Sequence, residues 1–79
     1  MDAEETGRRV RAARCYAGID QGVLAKHLGM SRNTLYKIEQ GKRMARPGEL
    51  WEVAHQCGVP RWFLTADWTP RIVAPLDEP

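Results

Sequence analysis

The sequence predicts an all-α fold built from about five short helices. A chain of 79 residues is long enough for one domain with only a modest core. Glycines and prolines divide the chain into segments of helical length. Apart from a weak pattern at residues 71–73, no stretch of five residues alternates apolar and polar side chains, so strands are not predicted.

Each predicted helix has a recognisable start or stop signal. The first helix covers residues 4–17 and ends at Gly18, and a two-turn helix follows Asp20 and ends at Gly29. The third runs from Ser31 to Gln40 and ends at Gly41. The fourth runs from Pro47 to Gly58, and a short fifth helix begins at Pro60 and contains Trp62, Phe63 and Leu64. Apolar residues at helical spacing predict the inward faces. These are Val10, Ala13, Ala17, Leu24, Ala25, Leu28, Leu35, Ile38, Leu50, Trp51, Val53, Ala54 and Cys57.

Composition is typical of soluble globular domains, with 43% hydrophobic and 28% charged residues. No apolar run approaches the ~18 residues of a membrane span. The N-terminus begins with acidic residues and lacks the basic and apolar regions of a signal peptide, which predicts a cytoplasmic protein.

The cysteines are predicted to be structural. Cys15 and Cys57 fall on apolar helix faces, so we interpret both as small buried residues rather than a disulfide. His55 and Cys57 lie two residues apart and point to different sides of a helix, so no metal site is predicted.

Basic residues are concentrated in one part of the chain. Residues 26–46 contain six of them against Glu39 alone, a net charge of +5, whereas residues 1–25 are neutral and residues 47–79 carry −3. This asymmetry is expected of a protein that binds a polyanion, although a solvated basic face would give the same count.

A tight turn connects the second and third predicted helices. Gly29, Met30 and Ser31 leave a linker of three or four residues, which forces a sharp crossing and predicts a helix-turn-helix. Met30 is expected to pack into the core at the turn, and the small Ala25 allows the two helix backbones to approach closely.

The motif runs Gln21-x-x-Leu24-Ala25-x-x-Leu28-Gly29-Met30-Ser31-x-x-Thr34-Leu35-x-x-Ile38-Glu39-x-Gly41-Lys42-Arg43 and continues through Leu50-x-x-Val53-Ala54 to Val59-Pro60-x-Trp62-Phe63-Leu64. It resembles the Cro and phage-repressor type of helix-turn-helix domain, the XRE-like family. The resemblance covers about residues 6–65. It implies a compact, lambda-repressor-like bundle of five helices that binds double-stranded DNA, with the helix from Ser31 to Gln40 in the major groove.

The resemblance also implies site residues. Four outward side chains of the third helix are candidates for reading base edges, to which Arg, Lys and Asn offer suitable donors: Arg32, Asn33, Tyr36 and Lys37. Candidate phosphate contacts are Gln21, Thr34, Gln40, Lys42 and Arg43. Arg14 and Glu39 match a pair that is often salt-bridged beneath the recognition helix. The alternative for each of these residues is a solvated surface role.

The chain departs from the family pattern before the fourth helix. Arg46 replaces the usual Ser or Thr, and Pro47 stands where an aliphatic residue is usual, so the loop 44–47 is expected to differ in shape. Gly22 costs about 1 kcal/mol relative to alanine inside a helix. It either loosens the second helix or allows close approach of the DNA backbone.

The predicted function is a sequence-specific transcriptional regulator, a repressor or Cro-like protein, acting as a nucleoid-associated homodimer on a palindromic operator. The alternative is a protein-interaction module, such as an antitoxin or adaptor, on the same fold. An enzyme is not predicted, because the only serine is a helix cap and neither His27 nor His55 has an evident carboxylate partner. No cofactor, metal, small-molecule ligand or membrane partner is predicted.

Residues 1–65 are predicted to form the DNA-binding domain and residues 66–79 a tail, flexible or dimer-forming. The dimer surface stays open between the fifth helix, with Trp62 and Phe63, and the tail, with Trp68 and Ile72-Val73. The chain is either a Cro-sized regulator or a fragment of a longer repressor.

Overall fold

A computed structural model describes residues 2–65, and the five predicted helices all occur in that range. They are α1 (Ala3–Ala17), α2 (Gln21–His27), α3 (Arg32–Glu39), α4 (Pro47–Cys57) and α5 (Arg61–Thr65). No strand occurs among these residues, and the predicted all-α class is confirmed. The predictions for residues 66–79, including Trp68 and the weak strand pattern at 71–73, lie outside the described residues.

Side-chain caps begin α2 and α3, as the sequence predicts. The Asp20 carboxylate accepts a hydrogen bond from the backbone N–H of Gly22 at 2.8 Å, and Ser31 Oγ accepts one from the N–H of Thr34 at 3.1 Å. Caps of this kind typically stabilise a helix by about 1 kcal/mol. They set the start of each helix from residues adjacent in sequence.

The turn between α2 and α3 is closed by backbone hydrogen bonds. Gly29 adopts φ +70°, the left-handed conformation that residues with a Cβ resist. Its N–H donates to Lys26 O at 3.1 Å, and the next N–H, of Met30, donates to Ala25 O at 3.0 Å. These two bonds form a Schellman motif, which stops α2 and redirects the chain into α3.

Glu49 holds the start of α4, where Arg46 stands in place of a Ser or Thr cap. Its Oε1 accepts the backbone N–H of Arg46 at 2.9 Å, and its two oxygens accept both terminal nitrogens of Arg43 at 3.0 and 3.1 Å. Pro47 occupies the first turn, as predicted. Glu49 thereby ties the loop between α3 and α4 to the first turn of α4.

Apolar side chains from all five helices form the core. The most deeply buried large ones are Val10, Leu24, Leu35, Ile38, Val53 and Leu64. α1 packs against α3, α4 and α5, while α2 packs against α3 and α4. Ala25 is buried and Met30 packs against the core at the turn, as predicted. Among the described residues, no helix is both long and apolar enough to cross a membrane.

The predicted burial of Trp51 is wrong, because this side chain is 52% exposed. Successive residues of a helix are rotated by about 100°, so Trp51 lies beside the buried stripe of Leu50, Val53, Ala54 and Cys57 rather than on it. The Arg61 guanidinium lies over its ring, 5.1 Å from the centroid. This cation–π contact joins the outer surfaces of α4 and α5.

The predicted burial of Cys15 is also wrong, as is that of Ala17, the exposed last residue of α1. Cys15 is exposed, whereas Cys57 is buried as predicted, and both thiols are free. Cys15 follows the buried Ala13 by two residues, a rotation of about 200° that carries it to the outer side of α1. Burial raises the pKa of the Cys57 thiol.

The N-terminal part of α1 lies directly against the end of α3. A Cβ on Gly7 would overlap the carbonyl oxygen of Ile38 and lie 2.9 Å from that of Glu39. Gly41, which ends α3 at φ +78°, is equally confined, because a Cβ there would lie 2.7 Å from Glu4 Cγ. The seating of α3 therefore depends on two glycines that allow backbone contact.

Arg9 is buried and connects α1 to α5. Its Nε donates to Glu5 Oε2 at 3.0 Å, and its Nη1 donates to the backbone carbonyl oxygen of Phe63 at 3.1 Å. A buried charge is tolerated where it is paired and hydrogen-bonded. No local pattern marks this residue, since an arginine among acidic and basic neighbours normally indicates a solvated position.

Candidate nucleic-acid interface

α3 has one buried face and one exposed face. Leu35 and Ile38 point into the core, with exposed fractions of 0% and 2%. The four predicted base-reading residues are all exposed: Arg32, Asn33, Tyr36 and Lys37. They stand at helical spacings of one, four and five residues and so form one continuous strip, hereafter the α3 strip. Its donor groups are a guanidinium, an amide, a phenol and an ammonium.

The positive charges of the α3 strip are not neutralised by ion pairs within the described residues. Within residues 2–65, neither Arg32 nor Lys37 takes part in an ion pair, and neither does the exposed Lys42 just beyond the helix. The single acid of the basic segment, Glu39, is turned into the protein and is buried. The outward side of this segment therefore presents cations with no carboxylate of its own.

The remaining predicted phosphate contacts on α3 and its exit differ in their surroundings. Thr34 is half-buried, and its hydroxyl lies 2.9 Å from Ser31 Oγ within the helix cap. Gln40 is exposed. Arg43 is partly covered and is bound through both terminal nitrogens to Glu49, which raises the pKa of Arg43. Contact between Arg43 and a phosphate therefore competes with an existing ion pair.

The same ion pair makes a pH-dependent contribution to stability. The hydrogen bonds from Arg43, and then the N–H of Arg46, hold the pKa of Glu49 below its usual value of 4.5. A depressed pKa in the folded state stabilises the protein above the unfolded-state pKa, and this stabilisation is lost as pH falls through the folded-state value.

We therefore expect Glu49→Gln to lower the free energy of unfolding by about 1 kcal/mol at neutral pH and by much less near pH 3. Urea unfolding at both pH values measures the difference. The matched control is Glu52→Gln, on the same helix but bonded to the neutral Gln56. A destabilisation by Glu49→Gln that stays constant with pH would contradict the assigned role.

A buried ion pair lies beneath α3. Arg14 Nε donates to Glu39 Oε2 at 2.7 Å and Arg14 Nη2 donates to Glu39 Oε1 at 3.0 Å. The side chains are 15% and 2% exposed. Arg14 also donates to the carbonyl oxygen of Ile19 at 3.1 Å, and its pKa is raised, chiefly by the hydrogen bonds to Glu39. The structure thus brings together the two residues that the resemblance paired, and the burial of Glu39 does not fit the alternative of two solvated charges.

Gln21 joins this ion pair from the start of α2. It is half-buried, and its Nε2 donates to Glu39 Oε1 at 3.1 Å. The predicted phosphate-contacting residue is therefore held on one side by the last residue of α3. No sequence pattern links Gln21 to Glu39, because they lie 18 positions apart.

The glycine at position 22 is explained by the cap of α2. Its N–H is bound by the Asp20 cap, and a Cβ at this position would lie 3.1 Å from Asp20 Oδ2. A contact of that length crowds the carboxylate that caps α2. Glycine therefore leaves room for the cap.

A family model described as a helix-turn-helix domain matches residues 5–61, well over half of the chain. The chain belongs to the helix-turn-helix domain family. In this helix-turn-helix protein the two helices of the motif are α2 and α3, joined by the turn at Gly29, and the resemblance to the Cro and phage-repressor type is confirmed. It is a DNA-binding domain of the kind found in transcriptional regulators.

A curated relative is the uncharacterized HTH-type transcriptional regulator YazB of Bacillus subtilis (strain 168). It is 48% identical over 44 residues, which cover 56% of this chain and 64% of that protein. The match thus spans less than two thirds of the relative's length.

Two solved structures share the fold. The restriction-modification controller protein C.AhdI from Aeromonas hydrophila aligns with a TM-score of 0.72 and 25% identity, over 80% of this chain and 91% of that one. A hypothetical transcription factor, NHTF, from Neisseria aligns with a TM-score of 0.70 and 21% identity, over 95% and 85%. These relatives are named as regulators, a controller or a transcription factor, and none of them as an enzyme. Among residues 2–65 of this helix-turn-helix protein, no group of three His, Cys, Asp or Glu side chains could hold a metal ion.

Proposed function

We propose that this chain is a sequence-specific, double-stranded-DNA-binding transcriptional regulator of the repressor or Cro-like kind, whose α3 enters the major groove. The observation that carries the proposal is the α3 strip, four exposed donor side chains on a helix whose opposite face is buried. The major groove of B-DNA admits an α-helix, and its base edges present acceptors that match such donors. The relative named as a transcriptional regulator supports the same function.

Base reading is assigned to the α3 strip and positioning to the residues around it. Arg32 and Lys37 suit guanine O6 and N7, and Asn33 suits the N6 and N7 atoms of adenine. Tyr36 adds a further exposed donor and acceptor. The residues assigned to phosphates are Gln21, Thr34, Gln40, Lys42 and Arg43, whose contacts would fix the register of α3 on the duplex.

We further propose that the protein binds as a homodimer on a palindromic operator. Proteins with this motif read half-sites about one DNA turn apart, so two copies must be related by a two-fold axis. The exposed Trp62 supports α5 as the contact surface, whereas Phe63, also predicted for this surface, is partly buried against the core. The alternative surface, in residues 66–79, stays open.

Selection of bound sequences from a random DNA pool tests operator and dimer together. We expect an inverted repeat with half-site centres about 10 base pairs apart, because each copy of α3 reads one half-site. A single unrepeated site bound by one protein copy would contradict the dimer while leaving the DNA-binding function intact.

The assigned face is tested on the selected site with the double variant Arg32→Ala, Lys37→Ala. Two lost base contacts at about 1 kcal/mol each predict an affinity loss of about 30-fold. The control is Arg8→Ala, Arg11→Ala, which removes two exposed basic residues on α1 without touching α3 or the proposed dimer surface on α5. Circular dichroism confirms that both variants are folded.

The affinity for the selected site is also measured as a function of salt concentration. Each neutralised phosphate contributes a slope of about −0.9 to the fall of log affinity with log salt concentration, so several contacts predict steep salt dependence. Flat binding would refute the phosphate contacts assigned to the basic side chains Lys42 and Arg43. Equal binding by the α3 variant and wild type would refute the assigned face and favour a protein-interaction module of the antitoxin or adaptor kind.

A further inference from the structure

One carboxylate connects three helices beneath the α3 strip. Glu39, the last residue of α3, accepts two hydrogen bonds from Arg14 of α1 and one from Gln21, the first residue of α2. Oε1 is shared between the Arg14 and Gln21 donors, at 3.0 and 3.1 Å. Because the Glu39 side chain is 2% exposed, these protein donors take the place of water around it.

The carboxylate decides which way the Gln21 amide is turned. A carboxylate paired with an arginine offers only acceptors, so the amide must face it with NH₂, and its carbonyl oxygen would meet another acceptor there. The same nitrogen carries a second N–H. Since Gln21 is only half-buried, this N–H stays available to a partner outside the protein.

We infer that Glu39 is a positioning residue for DNA binding, which orients Gln21 so that one amide nitrogen bridges the buried carboxylate and a DNA phosphate. This inference rests on the proposed function. A neutral NH₂ group suits the bridge because it gives one donor to each of two anions. Arg14 compensates the charge of Glu39, which would otherwise repel the phosphate. Glu39 thereby connects the end of α3 to the phosphate contact at the start of α2.

A double-mutant cycle measured by DNA affinity tests this link on the selected site. Gln21→Met, which keeps the length of the side chain, is expected to weaken binding about tenfold and to leave the salt slope almost unchanged, because a neutral amide does not neutralise the phosphate charge. Glu39→Gln alone is expected to weaken binding severalfold, because a neutral amide at position 39 no longer dictates the orientation of Gln21. In the Gln21→Met background, Glu39→Gln should weaken binding markedly less than it does in the wild type, because only its effect on the position of α3 remains.

Independent, multiplicative losses would show that Glu39 acts on DNA binding only through general structure and would overturn the inference. Gln56→Met is the matched control, since the amide of Gln56 is also held by a carboxylate, at 2.7 Å from Glu52, but on α4. It should leave DNA affinity unchanged. If the wild-type protein fails to bind any selected DNA, the proposed function fails. If it binds and the cycle is additive, only this inference fails.

If the Glu39→Gln variant does not fold, side-chain amide NMR of the wild-type protein still tests the inference. The Nε2 protons of Gln21 should exchange slowly and differ widely in chemical shift, in contrast to those of the exposed Gln40. Adding the selected DNA should shift the second proton of Gln21. Signals of Gln21 that match those of Gln40 in the free protein, or that do not change when the DNA is added, would overturn the inference.

Discussion

Replacing Arg14 by methionine is expected to lower the free energy of unfolding by about 3 to 5 kcal/mol. The substitution keeps most of the apolar stem but removes the guanidinium, so Glu39 keeps only the Gln21 amide as a partner among the hydrogen bonds described above. Its carboxylate stays almost fully buried. Leaving one member of a buried ion pair without its partner costs about this much, because the remaining charge is neither solvated nor compensated.

The control for this prediction removes both charges. In the double variant Arg14→Met, Glu39→Leu no uncompensated carboxylate remains, and the half-exposed Gln21 amide can bond to water instead. Most of the lost stability should therefore return. Urea unfolding of the two variants and of the wild type measures the effect. A single variant within about 1 kcal/mol of wild type, or a double variant less stable than the single one, would contradict the buried pair.

Gly7→Ala is expected to lower the free energy of unfolding by about 3 kcal/mol, at the upper end of overpacking costs. The added methyl group would overlap the carbonyl oxygen of Ile38 and approach that of Glu39. Both obstacles are backbone atoms, which cannot rotate away as a side chain can, so α1 must separate from the end of α3. Intrinsic helix propensity favours alanine over glycine by about 1 kcal/mol and acts in the opposite direction.

Gly48→Ala is the matched control for this second prediction. Gly48 lies in the first turn of α4, and a Cβ there would meet no atom within 4 Å. The same chemical change should therefore be neutral or stabilising by up to about 1 kcal/mol. Thermal or urea unfolding compares the pair. Similar effects at both positions would refute the close approach of α1 and α3.

The two predictions concern the same region, the end of α3 where it rests on α1. The α3 strip can read DNA only if the helix is held at a fixed angle, and its fixed points are the backbone contact at Gly7 and the pair of Arg14 with Glu39. Turning Glu39 inward also removes the one acid of the basic segment from the outer surface. The Glu39 side chain thus holds α3 in place and keeps its own negative charge away from the outer surface of the basic segment.

The elements that could be predicted from the sequence depend on residues close together in the chain. Asp20 and Ser31 cap helices through N–H groups two and three positions away, and Gly29 and Gly41 end helices through their own backbone conformation. Apolar spacing within single helices identified Leu35 and Ile38 as buried, which left the α3 strip on the outside. Such signals are local, so sequence alone sufficed for the fold class and the exposed strip.

The tertiary structure decided what depends on distant partners. Gln21 and Glu39 are 18 positions apart and Arg9 and the Phe63 carbonyl 54, and neither contact was predicted. Arg14 and Glu39, 25 positions apart, were paired only through the resemblance to a known family. Gly7 is an unremarkable helix residue until the backbone of α3 lies against it. Trp51 and Cys15 were assigned to the wrong side because an apolar side chain next to a buried stripe carries the same local signal as one on it. Helix ends and faces follow from short-range hydrogen bonds and periodicity, whereas the contacts that hold α3 arise only when separate helices pack together.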